Sequence, residues 1–464
     1  MRVLFVYTDI DVKGGARSYH FGIGILSSVL KTSGHQTELH YMFNDWDPEG
    51  FMAHIDRFNP DVLAYTSDSS QVRHVAKLIK KAKPKGLFQI MGGTHASLYP
   101  KCLEKIEGLN AICLGESEIS FLELINTLAA GGNHKSIPGV WCKEEDGTVT
   151  ENAPGCFQQD LDAIPFGDRK IFDYQVVIES DYNRMTMMMS RGCPYDCNYC
   201  GSPAMGKLSE GKYVRFRSIQ NGIDEIKRVL ENYKVKSIFF ADDVFTIDRK
   251  YVKNFCKVYK KEIDIPFEVT TRVESSNYDT FMHLSDAGCT RVAMGIESGS
   301  EELRRKALNR KMTNKKIIQS FDDARKAGLK TKSYNIVGFP YETREMHMET
   351  VALNQMINPD SIVCYIFNPY PGTALFDISL KEGFLSQGFM DDDFISRTDT
   401  PLSMPQFPRK DILNCYRNFA YNVYKVTSIK KAIIYKAYYS RFGEGLIRLL
   451  DPVKKPIQRL AMGA

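Results

Sequence analysis

Three cysteines fall within eight residues of this chain, in Arg191-Gly192-Cys193-Pro194-Tyr195-Asp196-Cys197-Asn198-Tyr199-Cys200-Gly201. The spacing is C-x3-C-x2-C. Thiolates bind soft metals and iron–sulfur clusters, and a short loop can wrap three of them around one cluster. A [4Fe–4S] cube has four irons, so three ligands leave one iron open to chemistry. A zinc site would ordinarily call for a fourth Cys or His nearby, and none follows in a CxxC or HxxxH pairing. A disulfide or a structural zinc loop is the competing reading.

Two series of alternating strand-like and helix-like segments surround this loop. In the first, strand-like runs at 2–7, 36–41, 62–65, 87–91 and 111–114 alternate with helical stretches near 17–32, 48–57, 70–82, 96–107 and 117–130. That order argues for an open parallel sheet with helices on both faces. Ligands of such sheets sit at the carboxyl ends of the strands. Those ends carry Tyr7-Thr8-Asp9, Thr66-Ser67-Asp68-Ser69-Ser70, Gly92-Gly93-Thr94-His95-Ala96-Ser97 and Gly115-Glu116-Ser117-Glu118. The glycine pair lets backbone approach a ligand closely, and the hydroxyls offer adaptable hydrogen bonds. Turn and helix-cap chemistry explains each piece singly about as well. Gly131-Gly132-Asn133-His134 then has the composition of a turn, and the acidic stretch 144–155 reads as a small hairpin.

The second series begins at Arg184, with strand candidates at 185–190, 237–241, 267–271, 291–296, 331–337 and 361–367. Helical segments separate them. The clearest is 218–233, where Ile219, Ile223, Ile226, Val229 and Leu230 share one face behind a Ser218 cap. Six βα units suit an open, partial barrel. The cysteine loop then leaves the carboxyl end of the first strand, where barrel chemistry is placed.

Together these residues resemble the radical S-adenosylmethionine (SAM) enzymes that carry a cobalamin-binding domain in front. The cysteine spacing is that family's signature, and Tyr199 sits where the family places a ring against adenine. The Ser-rich turn after Pro60-Asp61-Val62, the Gly-Gly-x-His-Ala-Ser segment and the Gly-Glu-x-Glu turn recur in the cobalamin domain in that order. The resemblance implies an α/β chain in four parts. These are an N-terminal Rossmann-like cobalamin-binding domain (1–135), a linker with a small hairpin (136–180), a partial (β/α)6 TIM-barrel radical SAM domain (181–385) and a basic helical C-terminal region (386–464).

It also implies three cofactors: a [4Fe–4S] cluster on Cys193, Cys197 and Cys200, SAM, and cobalamin. For SAM it points to Asp242 or Asp243 at the ammonium, Arg272 at the carboxylate, Glu297 and Ser298 at the ribose, and Asn335 on the adenine-contacting strand. A cap aspartate, a surface arginine and a solvated acid are the plain alternatives at 242, 272 and 297. For cobalamin it points to Thr66, Ser67, Gly92, Gly93, Thr94, Ser97, Gly115 and Glu116. Tyr370 and Cys364 are candidates to face substrate, with core packing the plainer reading of Cys364. One departure matters. The loop Asp9–Gly15 lacks the Asp-x-His-x-x-Gly that supplies a histidine to cobalt elsewhere, and His95 reads as a pocket-wall or structural residue.

The reaction implied is reductive SAM cleavage to a 5′-deoxyadenosyl radical, with a flavodoxin or ferredoxin as reductant. The leading expectation is cobalamin-dependent methyl transfer to an unactivated carbon of a small-molecule or lipid-like substrate. Radical cyclisation or rearrangement without methyl transfer is the alternative, and a non-catalytic sensor a third. A sulfur-inserting tRNA enzyme is disfavoured because its extra N-terminal cysteine trio is missing.

A chain of 464 residues predicts two or three domains. Eleven cysteines, mostly single and in apolar segments, fit a reducing cytoplasm better than a disulfide framework. No signal peptide or membrane-length apolar run is read. Residues 409–459 hold twelve Lys and Arg against Asp411, Glu444 and Asp451. This tract reads as basic helices capping the barrel, with contact to an anionic membrane the sharper alternative. Nucleic acid is disfavoured, since no RNA-binding module accompanies it.

Overall fold

The computed structural model describes residues 1–10, 15–389 and 398–438. Strands β1 (Arg2–Asp9), β2 (Gln36–Phe43), β3 (Val62–Thr66), β4 (Phe88–Gly92) and β5 (Ala111–Cys113) form a parallel sheet in the order β2-β1-β3-β4-β5. Strand order reverses between β1 and β3, which opens a crevice at their carboxyl ends. Helices cover both faces, so β3 is buried along its whole length.

The hairpin of β6 (Val140–Lys143) and β7 (Val149–Thr150) differs from its expected place in a linker. It joins this sheet, with β6 antiparallel to β5 and Ala111 opposite Cys142. The edge that β5 would otherwise leave open is thereby paired.

Further along lie β8 (Arg184–Met187), β9 (Ser190–Arg191), β10 (Arg215–Phe216), β11 (Ser237–Phe240), β12 (Phe267–Thr271), β13 (Cys289–Glu297), β14 (Lys330–Val337) and β15 (Ser361–Ile366). Six of them, β8 and β11 to β15, make one parallel sheet in chain order, an open half barrel. The short strands β9 and β10 pair antiparallel at the root of the cysteine loop. Each barrel strand turns alternate residues to the helical layer. Ile223, Ile226 and Val229 are buried there as their spacing predicts, and Ser218 caps the helix Ile219–Asn232 by accepting from the Asn221 N–H.

The two sheets share a continuous core. Tyr19, Phe172, Tyr174, Val177 and Ile178 fill the space between the helix Phe21–Thr32 and the outer face of β8. Within it, Glu225 receives Arg169 at 2.6 Å and Arg217 at 2.5 Å, nearly shut off from solvent. These pairs tie the connector to the first barrel helix. Removing one partner would strand a buried charge.

The C-terminal region caps the barrel as far as it is described. Phe407, Ile412, Phe419 and Val423 pack with Val337, Ile362, Cys364 and Ile366 on the outer side of β14 and β15. The Tyr424 hydroxyl donates to the Pro359 carbonyl at 3.0 Å. The rest of the basic tract, 439–464, and residues 11–14 of the first loop lie outside the described residues. Among the described residues no helix is long and apolar enough to cross a membrane.

The turn after β14 is built on one buried acid. Glu342 Oε2 accepts from the N–H groups of Gly338 and Phe339 at 2.6 and 3.0 Å, while Oε1 has no partner among the described residues. Burial pushes this carboxyl up to about 8, against those two hydrogen bonds. A folded value above the unfolded one makes the acid favour folding at low pH, an advantage lost as pH rises toward 8. Glu342→Gln keeps an acceptor for both N–H groups and removes the titration. Its melting temperature is expected to exceed the parent's at pH 8 by a few degrees, roughly 2–4 °C per kcal/mol, and to match it near pH 5. Thermal melts at both pH values check this, and a constant difference would contradict it.

Candidate active site at the junction of the two sheets

The cysteine loop leaves the barrel at β9, and two sets of carboxylates hold its root. On the barrel side, Asp242 is buried and accepts from the Met189 N–H at 3.1 Å and from Ser190 Oγ at 2.5 Å. Burial raises its carboxyl to about 6 despite those bonds. On the other side, Arg191 Nη2 donates to Glu118 at 2.7 Å and Arg191 Nη1 lies 3.1 Å from Glu116. Arg215, opposite Arg191 in the β9–β10 pair, takes both Glu116 oxygens, one at 2.9 Å.

The loop itself is stapled to the barrel by backbone. The Asn198 side chain donates to the Ala307 carbonyl at 2.8 Å, and the Leu375 N–H donates to the Asn198 carbonyl at 2.9 Å. Gly192, at φ +85°, starts the loop where a Cβ would lie 2.3 Å from the Tyr213 carbonyl oxygen.

All three thiols meet donors, Cys193 through a backbone hydrogen bond from Tyr195. Arg272 Nη1 points at Cys197 Sγ at 3.0 Å, and the Ser202 N–H donates to Cys200 Sγ at 3.4 Å. The Arg272 guanidinium also lies 3.8 Å over the Tyr195 ring and pairs with Glu274 at 2.8 Å. Arg272 is thus seated against the cysteine loop itself. Burial pushes the Cys200 thiol up to about 11, so binding iron must displace its proton. Among the described residues no three His, Cys, Asp or Glu side chains converge on a single metal ion. A cube needs one thiolate for each of three irons. Three neighbouring thiols with a guanidinium and a backbone N–H directed at sulfur fit that need.

Next to the loop, Tyr199 and Glu297 meet on a residue that sequence reasoning passed over. Arg310 is buried and donates from Nη1 to the Tyr199 hydroxyl at 2.8 Å and to Glu297 Oε1 at 3.1 Å, and from Nη2 to the Gly295 carbonyl at 2.7 Å. Glu297 is held at φ +65°, and β13 slips register against β14 between Gly295 and Glu297. Positive φ is uncommon for a residue with a side chain and concentrates at functional sites.

Other expected SAM contacts are spent elsewhere. Ser298 is fully buried and accepts from the Ser300 N–H. Asn335 faces the helical layer, donating to Ser333 and the Val363 carbonyl and accepting from Asn354. Cys364 packs in the core beneath the C-terminal helix. Tyr370, in contrast, is 38% exposed.

A cavity of about 1510 Å³, its mouth included, opens between the N-terminal sheet and the loop root. Its walls include Thr66, Gly92, Gly93, Thr94, Gly115 and Glu116 from one side and Asp243, Gly192 and Tyr213 from the other. Asp243 is the exposed member of the acid pair, and Asp242 the anchor. Ser67 and Ser97 are not among the lining residues: their hydroxyls bond Asp68 and Gly93 carbonyls and shape the turns. His95 is likewise buried against Ser69 at 2.9 Å. His20 lines the cavity unanticipated. Its Nδ1 caps the helix Phe21–Thr32 by accepting from the Ile23 N–H, and its Nε2 faces Thr66 Oγ1 at 3.3 Å.

The glycines test whether this space suits a corrinoid. A Cβ on Gly92 would meet nothing nearer than Cys113 at 4.0 Å, so the missing side chain is cavity space. A Cβ on Gly93 would come within 2.6 Å of the Ser67 carbonyl oxygen at φ +93°, so that glycine shapes the turn. A wide cleft with largely apolar walls, Phe5, Ile23, Leu26, Ile90 and Phe121 among them, and with bare backbone and hydroxyls at its turns fits a large ligand that has both a flat ring system and amide arms.

Residues 8–125 match the B12 binding domain and residues 187–353 match the Radical SAM superfamily. The chain belongs to the radical SAM enzymes that carry a cobalamin-binding domain. Its domains imply a [4Fe–4S] cluster, SAM and cobalamin. This radical SAM enzyme is 28% identical over 393 residues to a protein of Pyrococcus horikoshii described as an uncharacterised methyltransferase, covering 83% of this chain and 84% of that one. It is 25% identical over 445 residues to the anaerobic magnesium-protoporphyrin IX monomethyl ester cyclase of Rubrivivax gelatinosus, covering 91% and 78%. Its fold is similar to that of the radical SAM methyltransferase TsrM from Kitasatospora setae with cobalamin and a [4Fe-4S] cluster bound. The TM-score is 0.68 at 16% identity, over 82% of this chain and 78% of that one.

Three variants test the three candidate cofactor sites. Cys197→Ala is expected to lose iron and visible absorbance. Glu297→Ala is expected to keep both while SAM affinity falls roughly tenfold, about 1.4 kcal/mol. Gly92→Leu is expected to keep the cluster and lose corrinoid uptake. Iron, sulfide and corrinoid per chain, with SAM equilibrium dialysis, check all three, and loss of iron in either of the last two would contradict the assignment.

Proposed function

We propose that this enzyme is a cobalamin-dependent methyltransferase acting on an unactivated carbon of a small-molecule or lipid-like substrate. The observation that carries this reading is the shared cavity, walled by the corrinoid-domain turns on one side and by the root of the cysteine loop on the other. When bound, the cluster and SAM supply a hydrogen-abstracting radical, and cobalamin supplies a transferable methyl group.

The protein's part is binding, orientation and exclusion of water. Cys193, Cys197 and Cys200 hold the cluster, and Arg272 steadies the Cys197 sulfur. Arg310 fixes Tyr199 and Glu297 where the family resemblance puts the nucleoside end of SAM. Asp243 offers a carboxylate to its ammonium end from the cavity wall. Electrons come from a flavodoxin or ferredoxin in this reading.

Reconstituted enzyme with cobalamin, reductant and SAM is expected to form both S-adenosylhomocysteine and 5′-deoxyadenosine when substrate is present, the former only when cobalamin is bound. Chromatography of the two products checks this. The likeness to the protoporphyrin cyclase supports a second reading, cyclisation or rearrangement without methyl transfer. It predicts 5′-deoxyadenosine alone. Neither product would sink both.

A lipid-like substrate would bring the enzyme to a bilayer. Val426, Ile429 and Ile433 are exposed beside Lys425 and Lys430, which supports peripheral contact through the basic tract. Flotation with anionic vesicles is then expected, and its absence would remove this contact from the proposal.

A further inference from the structure

Glu116 lies in the turn after β5, where family resemblance alone casts it as a corrinoid contact, and Glu118 opens the helix Glu118–Ala129 that follows. Their partners lie on the other side of the cavity. Both oxygens of Glu116 are engaged by Arg215, one of them also by Arg191, and Glu118 takes the second arm of Arg191. We propose that Glu116 and Glu118 are positioning residues, through which an occupied corrinoid cavity tightens SAM binding at the cysteine loop.

Three observations carry this. First, Arg191 stands two residues before Cys193, on a strand whose other residue, Ser190, is fixed to the barrel through Asp242. A shift of Arg191 therefore turns the loop about a fixed point. Second, Gly115, Glu116, Glu118, Arg191 and Gly192 all line the one cavity, so a bound corrinoid touches both ends of the network. Third, the side chains are only 13–18% exposed, and that of Arg215 3%. Ion pairs so sheltered are not screened as surface pairs are, and breaking one is costly.

Coupling of this kind is reciprocal: the factor by which cobalamin tightens SAM is the factor by which SAM tightens cobalamin. The inference rests on the cofactor complement and not on methyl transfer, so the product assay above and the test below fail independently.

The test is SAM equilibrium dialysis on the anaerobically reconstituted full chain, with and without hydroxocobalamin. In the parent, cobalamin is expected to lower the SAM Kd about fivefold or more. In Glu118→Gln the two SAM Kd values are expected to fall within about twofold of each other, with iron content and corrinoid uptake retained; Arg215→Gln, which breaks the same network from outside the cavity lining, is the second variant should the first lose iron or corrinoid uptake. A purely structural role predicts weaker SAM binding by the same factor in both arms. That result, or equal SAM affinity with and without cobalamin in the parent, overturns the proposal.

Discussion

Everything around the cavity depends on how one short strand is held. Ser190 and Arg191 carry the chain out of the barrel and into the cysteine loop, and each is gripped from a different side. Asp242 holds the backbone before Ser190 and the Ser190 hydroxyl from within the barrel. Burying a carboxylate there is unfavourable, as its raised pKa of about 6 records, and the donors aimed at it offset that cost. The arginine that follows is taken by two acids of the other sheet. The loop direction is therefore set by electrostatics from both domains before any cofactor arrives.

The same balance holds beside the cysteine loop, where we place SAM. Arg310 would be a costly buried cation alone, but it satisfies Tyr199, Glu297 and the Gly295 carbonyl together. Burial raises the Glu297 carboxyl while Arg310 opposes that rise. The strained backbone at Glu297 is held by this bond and by the slipped register of β13. Preorganised polar groups of this kind meet a ligand without rearranging.

Much of the fold was legible because strand and helix periods are local properties. The six barrel strands and the five of the front sheet fall where their apolar runs lie, and Ser218 caps its helix as its position before an apolar stripe predicts. The cysteine spacing was legible for the same reason. Side-chain direction was less so. Asn335 and Cys364 sit opposite one another in the ladder, and both turn to the helical layer. The one-residue slip near Glu297 changes which side chains share a face, and nothing in the local pattern announces it. Asp242 and Asp243 are adjacent and chemically identical in sequence. Only the fold makes one an anchor and the other a cavity wall. Arg310 and His20 lay in segments with no motif of their own, and their roles arise from partners more than ten or forty positions away. The hairpin expected at 144–155 takes in the turn and β7 but not β6, and its place on the edge of β5 is a long-range pairing.

The cavity lies in neither domain alone, and that follows from topology. Parallel sheets present their ligand-binding loops at the carboxyl ends of their strands. Two such sheets can bring separate cofactors to one reacting centre only if those ends face each other across a shared space. The continuous core under Tyr19, Phe172 and Tyr174 fixes the sheets in that relation, and the buried Arg169–Glu225–Arg217 set removes slack between connector and barrel. A hinge here would let either site work alone but would let water reach a reactive centre. A packed junction, with a charged seam placed at the loop root, instead makes the geometry of each site depend on the other.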